Sequence, residues 1–544
     1  MDCVSLHHSQ VPKSSKLLVD YLERYENVAR FYNGSPFLPE TYDRLKQQIE
    51  NVSIDRKSLV EILLRQNRNF GAGEQTMENI RRLGDPDTYA VVTGQQVGLF
   101  SGPAFTLYKA LTAVRLSQSL RERGLKTVPV FWLASEDHDL DEVAQTYALN
   151  DHYELVHLHD PGERPAPQSP VGRVKLTEGI TGQIDQLESL LPAGDEREQL
   201  IKDLRSAYQP GVTWSQSFAQ FLTRLFGRWG VVLLDPLDEA VHHLSAPVYQ
   251  KVLSQAADLR LRLQERSADL IKAGYHAQVH ISEDSTMLFA ERDGNRLPVH
   301  SSGTEKQRFT IGLDQSASLE ELESEISAQP LNFSSNVLLR PVVQDTLLPT
   351  IAYVAGPSEL AYLGQSQVLY TILGRPMPAV LPRSGFTLVD HRIERWMEKY
   401  QVGVDEVWKG KEHLTQRIAS TAFAEGWSER FDQTERDLAA LLARLSKDIE
   451  LLDPTLLDTL NHMEEKIQYQ VERLKGKLSR SALKRSEVLA RHEQALLGAI
   501  MPERELQERL VSGAYFLGRA GYGLLETLLE QIPTDSSSHC LMSF

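Results

Sequence analysis

The stretch from Tyr89 to Val143 constrains the fold of this chain more than any other. An apolar run, Tyr89 to Val92, meets a Gly/Gln-rich turn, Thr93 to Pro103. A helical pattern follows. A second apolar run, Thr127 to Leu133, then leads into Glu136, Asp137, His138 and Asp139. The order is strand, loop, helix, strand, with polar side chains after the carboxyl ends of both strands. Open α/β sheets place ligand sites in that crevice. Within the helix, Leu107, Ala110, Leu111, Val114 and Leu116 recur close to a 3.6-residue period and face inward, and Gly124 ends it.

At 544 residues the chain exceeds one compact core, so several domains are expected. Residues 1–80 read as mostly helical, with Phe31, Tyr32, Phe37 and Leu38 as an aromatic anchor in a loop. Residues 151–215 lose periodicity and carry frequent Pro and Gly, which predicts an irregular insertion. Phe218 to Trp229 reads as a helix ended by Gly230, and Val231 to Leu234 as a buried parallel-type strand. A helix is expected over 249–273. Residues 275–312 alternate around the turn Asp293-Gly294-Asn295, which predicts a small antiparallel sheet. Val337 to Val343 and Thr350 to Ala355 add apolar segments to the sheet region, although Pro341 makes the first an unclean strand. Pro378 to Pro382 is a last extended piece.

From about Asp432 to Ile500 the composition shifts to Leu, Glu, Lys, Arg and Gln. One stripe runs Leu438, Leu441, Leu445, Ile449. Pro454 interrupts, and a second runs Leu456, Leu460, Met463, Ile467, Val471, Leu474, Leu478. Gaps of three and four predict an antiparallel helical hairpin or coiled coil, whose second helix would extend about 65 Å. Leu506 to Leu529 regains helical character.

The net charge of −16 argues against general nucleic-acid binding. Two cysteines, Cys3 and Cys540, make neither a disulfide framework nor a four-cysteine zinc site, and both lie where termini are often mobile. No run reaches the length of a membrane span, and Ser5 to Ser14 is too polar for a signal peptide. A cytoplasmic protein without membrane partners is expected.

Three constellations carry chemistry. In the first turn, Gly94, Gly98 and Gly102 let the backbone approach a ligand, while Gln95, Gln96 and Ser101 offer donors and acceptors. Tyr108 and Lys109 lie one turn into the following helix and reach toward the same crevice. In the second, His138 between Asp137 and Asp139 suits a general base, with Glu136 beside it; the bland reading is an acidic helix N-terminus. No second His/Cys cluster shows metal-ligand spacing, so no metal is expected. The third runs from Asn336 through Arg340, Gln344 and Asp345 to Tyr353, Gly356 and Glu359. Arg340 suits a bidentate grip on a carboxylate or phosphate; the alternative is a structural pair with Asp345. Arg383, in Pro382-Arg383-Ser384-Gly385, sits in a loop able to close over an anion.

These motifs, in this order, resemble the bacillithiol biosynthesis cysteine-adding enzymes, the BshC family. The matching segments are TGQQVGLFSGPAFTLYKA (93–110), PVFWLASEDHDLDEV (129–143), LLRPVVQDTLLPTIAYVAGPSELAYLGQ (338–365), PRSGFTLVD (382–390) and LQER (506–509). The resemblance implies an α/β fold: a discontinuous Rossmann-like parallel-sheet core, similar to class I aminoacyl-tRNA synthetase catalytic domains, with connecting insertions and a long α-helical coiled-coil arm. Expected boundaries are a core over 1–390, insertions at 151–215 and 275–330, an arm over 391–500 and a returning segment over 501–544. It also implies a homodimer that joins cysteine to the amine of glucosaminyl-malate. Arg340 or Lys109 would hold a substrate carboxylate, His138 with Asp137 or Asp139 would orient or deprotonate the amine, and Gln95, Gln96 and Tyr353 would bind sugar hydroxyls. The chain has no HIGH-type or KMSKS-type motif, so no nucleotide motif supports ATP and Mg, and the cofactor stays open. The competing readings are another ATP-dependent ligase or nucleotidyl-type enzyme on the same core, and a coiled-coil scaffold.

Overall fold

Five apolar segments pair side by side: β1 (Thr88–Gln95), β2 (Lys126–Leu133), β3 (Val232–Leu234), β4 (Thr350–Ala355) and β5 (Ala379–Pro382). Their order is β5-β4-β1-β2-β3 and every pairing is parallel. The structure is a computed structural model and describes residues 3–302, 308–312, 315–422, 427–484 and 486–544. Both faces of the sheet are covered, so its strands are apolar at nearly every position. Val128, Val130 and Trp132 of β2 pack toward the N-terminal helices, and Phe131 and Leu133 toward the opposite layer. From β1 the chain moves outward through β2 and β3, then returns to the other side of β1 for β4 and β5. The reversal between β1 and β4 is a topological switch point, where ligands of such sheets bind.

Helix α1 (Phe105–Glu122) follows β1 and buries Leu107, Ala110, Leu111, Val114 and Leu116, as its spacing predicts. Val337 to Val343 does not extend the sheet. Asn336 Oδ1 accepts from the amides of Leu338 and Leu339, and helix α2 (Arg340–Leu347) begins with Pro341 in its first turn, where the missing N–H is no loss. Helix α3 (Pro357–Leu373) follows β4.

The insertion at 151–215 is more regular than its composition suggests. It holds the strand Leu155–His159 and the helices Ile180–Ser189 and Asp195–Ala207, whose apolar repeats are too short to stand out among polar neighbours. The expected 249–273 helix is two, Glu239–Ser254 and Ala256–Lys272. The strands Ser285–Arg292 and Asn295–Ser301 meet at Asp293 and Gly294, both with positive φ, the tight hairpin read from the sequence. They belong to a five-stranded antiparallel sheet that ends on Phe333–Ser335 and borders the crevice. The strands nearest the two termini are tied into one sheet. Cys3–Leu6 pairs with His539–Ser543, which pairs with Gly385–Val389, and a disulfide joins Cys3 to Cys540.

The arm is a hairpin of α4 (Trp427–Leu452) and α5 (Leu457–Lys484), turning at Pro454–Leu456. The expected 65 Å second helix does not form. The helix Glu487–Ile500, capped by Ser486, is separate and packs at the arm's base. The seam also differs from the expected stripe. Leu442 and Leu460 are buried in it, whereas Leu441, Leu445, Met463, Leu474 and Leu478 stand exposed. Adjacent leucines at 441 and 442 satisfy two stripes one residue apart, and the packed one lies inside.

Candidate active site

At the switch point the carboxyl ends of β1, β2 and β4 open into a cavity of about 580 Å³, within the range of small-molecule sites. Gly94, Trp132 and Tyr353 come from the strands themselves, and Arg296, Phe289 and Ser335 from the antiparallel sheet. A Cβ on Gly94 would lie 2.8 Å from the Trp132 carbonyl oxygen, so only glycine lets β1 run this close to β2.

A buried polar network fills one wall. Lys109, 1% exposed, donates to the Gly94 carbonyl, to Gln95 Oε1 at 3.2 Å and to Glu359 Oε2 at 2.5 Å. All three ammonium donors are therefore engaged. Burial pushes Lys109 below its ordinary pKa, while the Glu359 carboxylate pulls it up. Burial works against the Glu359 charge as well, but Lys109 and the hydrogen bonds to it leave that carboxyl below its ordinary range. Glu359 also accepts from the Gly356 amide at 2.6 Å and the Tyr353 hydroxyl at 2.7 Å. Arg340 Nη2 donates to the Tyr353 and Tyr362 hydroxyls, each at 3.2 Å, and Nη1 to Gln344 Oε1 at 3.0 Å. Among the described residues three of its five N–H groups are engaged, which leaves two able to meet a ligand. Asp345 accepts from Gln344 and Tyr370, not from Arg340, so the Arg340–Asp345 pair is absent.

The opposite lip is acidic. Gln96 Nε2 donates to Asp137 Oδ2 and Glu142 Oε2, both at 2.7 Å. Asp137 Oδ1 accepts the amides of His138 and Asp139, and Asp139 caps a short helix through the Glu142 amide. His138 Nδ1 accepts from Arg296 Nη1 at 3.1 Å. Burial and then the Arg296 charge lower its pKa, so the ring is neutral. Deeper in, burial raises the Glu136 carboxyl to about 7. Arg383 closes the far side through a two-pronged contact with Glu508, Nη2 to Oε1 at 2.6 Å and Nη1 to Oε2 at 3.0 Å. Among the described residues, no group of three or more His, Cys, Asp or Glu is placed to hold a metal ion.

Residues 1–384 match the family described as "Bacillithiol biosynthesis BshC, N-terminal Rossmann-like domain", and residues 386–544 match its "C-terminal coiled-coil domain". The chain belongs to the BshC family. Relatives named "Putative cysteine ligase BshC" include one from Koribacter versatilis, 35% identical over 98% of both chains. One from Solibacter usitatus is 35% identical over the full length of both, and one from Bacillus cereus is 28% identical over 92% of this chain and 95% of its own. A solved chain titled as a putative arginyl tRNA synthetase from Campylobacter jejuni aligns at 10% identity over 88% of this chain and 98% of its own, with a TM-score of 0.24.

Within this BshC chain the cavity gathers Gln95, Gln96, Lys109, Glu136, Asp137, Asn336, Arg340, Tyr353, Gly356, Glu359 and Arg383. It leaves out eight expected residues. His138 and Asp139 turn to the rim. Gly98, Ser101 and Gly102 form the turn beneath, where the Gly102 amide bonds Leu99 O and the Ser101 amide the Tyr208 hydroxyl, so those donors serve the fold. Tyr108 is buried edge-on against Phe386, and Gln344 and Asp345 lie behind Arg340. Glu142, which follows the Glu136–Asp139 cluster in sequence, joins the lining; the sequence alone does not single out Arg296, Phe289, Trp132 and Tyr362. Tyr362 carries a usable signal, since it follows Glu359 by one helical turn. Arg296, within an alternating strand, carries none.

Proposed function

We propose that this chain is a cysteine ligase of bacillithiol biosynthesis, forming an amide between the cysteine carboxyl and the amine of glucosaminyl-malate. The observation that carries the reading is one cavity at the sheet's switch point that sets unengaged Arg340 N–H groups opposite an acidic, amide-lined lip. Arg340 grips a malate carboxylate. Gln95, Gln96 and Tyr353 meet sugar hydroxyls, and Lys109 holds Glu359 and the β1 terminus in place rather than touching substrate. The names of its relatives support the same chemistry. The cytoplasm is the proposed compartment; no helix of the described residues is long and apolar enough to cross a membrane. The arm's exposed leucines support a homodimer.

The test is full-length protein with glucosaminyl-malate and cysteine, with and without ATP and Mg, following the thiol product by mass. Product formation is expected, with Arg340→Ala raising the KM for the malate-bearing substrate on the order of a hundred-fold, the scale of a lost charged hydrogen bond pair. No product under any condition overturns the reading.

A further inference from the structure

We propose that Glu136 is the general base of the ligation, taking the proton shed by the attacking amine and releasing it through the far wall of the cavity. The proposal rests on the ligation reading above. The amine nitrogen's electron pair forms the C–N bond to the acyl carbon of a cysteine donor activated as a mixed anhydride. The bond from that carbon to the anhydride oxygen breaks, its pair leaves with the oxygen, and the amine proton passes to a Glu136 carboxylate oxygen.

Position is the first argument. Glu136 follows β2 and lines the cavity, where the other carboxylates are committed: Glu359 to Lys109, Tyr353 and the Gly356 amide, Asp137 and Glu142 to Gln96. Among the described residues its close polar contact is His242 Nε2, 3.3 Å away. Glu136 and Arg296 also line a second, small cavity of about 10 Å³ with His242, Arg173 and Glu291. That volume is about one water. Glu136 thus borders both cavities, and the half-buried Arg173–Glu291 pair lines the second. A proton taken from the substrate side has an exit while substrate fills the main cavity.

Electrostatics agree. Burial raises Glu136 to about 7, Asp235 adds to the rise, and Arg296, Arg340 and Arg173 oppose it. A base near neutrality suits an amine at physiological pH. Tyr249 packs nearby and is neutral, since burial holds its pKa well above the ordinary value. Burial lowers His242 to about 4, so its ring is uncharged and does not lock Glu136 into an ion pair. His242 is a positioning residue. His138, by contrast, sits at the rim with Nδ1 already held by Arg296.

The experiment compares the full-length protein with Glu136→Gln, Glu136→Asp and His242→Gln across pH at saturating substrates. In the parent, kcat rises through pH 7 as the carboxyl ionises. Glu136→Gln is expected to lower kcat by on the order of 10²- to 10⁴-fold, with KM within a few-fold and the limb near pH 7 gone. Glu136→Asp keeps the limb at reduced rate, and it decides the matter if the Gln variant fails to fold. His242→Gln moves the limb's midpoint without abolishing turnover. An active parent with an unchanged kcat and pH limb in Glu136→Gln, or no limb in Glu136→Asp, overturns the base assignment alone. A parent that makes no amide overturns the ligation reading and the assignment with it.

Discussion

The cavity and the arm solve the same problem, covering what water disfavours, in opposite ways. Around the cavity the chain completes itself: Lys109 meets Glu359, Arg383 meets Glu508, and Arg340 meets two tyrosines and a glutamine. Along the arm the chain leaves its work unfinished. Leu442 and Leu460 are 7% exposed in the seam, but Leu441, Leu445, Leu474 and Leu478 are 46–58% exposed, as two i,i+4 ledges, one on each helix. Exposed apolar side chains at that spacing are what the proposed pairing of two arms would cover. The core thus offers a cavity lined by polar groups, and the arm two exposed leucine ledges.

Breaking the core's self-sufficiency has the largest expected effect. Glu359→Ala leaves the buried Lys109 ammonium without its counter-charge, held only by the Gly94 carbonyl and Gln95 Oε1, and also removes the acceptor of Tyr353 and the Gly356 amide. Removing one partner of a buried pair costs about 3–5 kcal/mol. Urea unfolding of the parent and the variant measures it. A loss under about 1 kcal/mol would mean that water reaches Lys109 or that the lysine is neutral.

That pair also shows where sequence reading stops. The β1–α1–β2 unit was legible because apolar runs are bounded by Gly-rich punctuation and followed by a helix of clear period. Lys109 looks like a substrate ligand in sequence because its partner lies 250 residues away and nothing local announces it. Arg383 stands out in sequence without its partner, because Glu508 lies 125 residues on in the separate LQER segment. Arg296 was invisible: it binds Ser334, Ser335 and His138, contacts made only when the antiparallel sheet folds over the crevice. His138 looked catalytic for its neighbours in sequence, yet a loop points successive side chains apart, and it was Glu136 that turned inward. In the arm, composition gave two helices and the Pro454 turn, but not which of two adjacent leucines faces the seam.

The second comparison is sharpened by charging the ledge. Leu474→Lys with Leu478→Lys leaves the seam residues Leu442 and Leu460 in place. Each leucine buried between copies is worth about 1.5–3 kcal/mol, so association weakens by on the order of a hundred-fold or more. Sedimentation velocity at micromolar protein is expected to show a dimer for the parent and a monomer for the variant, with unchanged helical circular dichroism. A parent that sediments as a monomer removes the dimer from the reading and leaves the cavity's chemistry standing.

The smallest expected effect sets arm against core with the same kind of bond. Lys475 Nζ meets Asp432 Oδ1 at 2.6 Å across the hairpin, close to the Lys109–Glu359 separation, but Asp432 is 43% exposed. Solvent screens the attraction and hydrates the aspartate when the lysine is gone, so nothing is stranded. Lys475→Ala is expected to change unfolding free energy by about 0–1 kcal/mol, less still in high salt. The Glu359→Ala loss should hold across the same salt series, because burial rather than distance sets its size. If the Lys475→Ala loss matches that of Glu359→Ala, the arm's polar contacts are buried in the assembled protein, and the second copy covers far more of the hairpin than the leucine ledges alone.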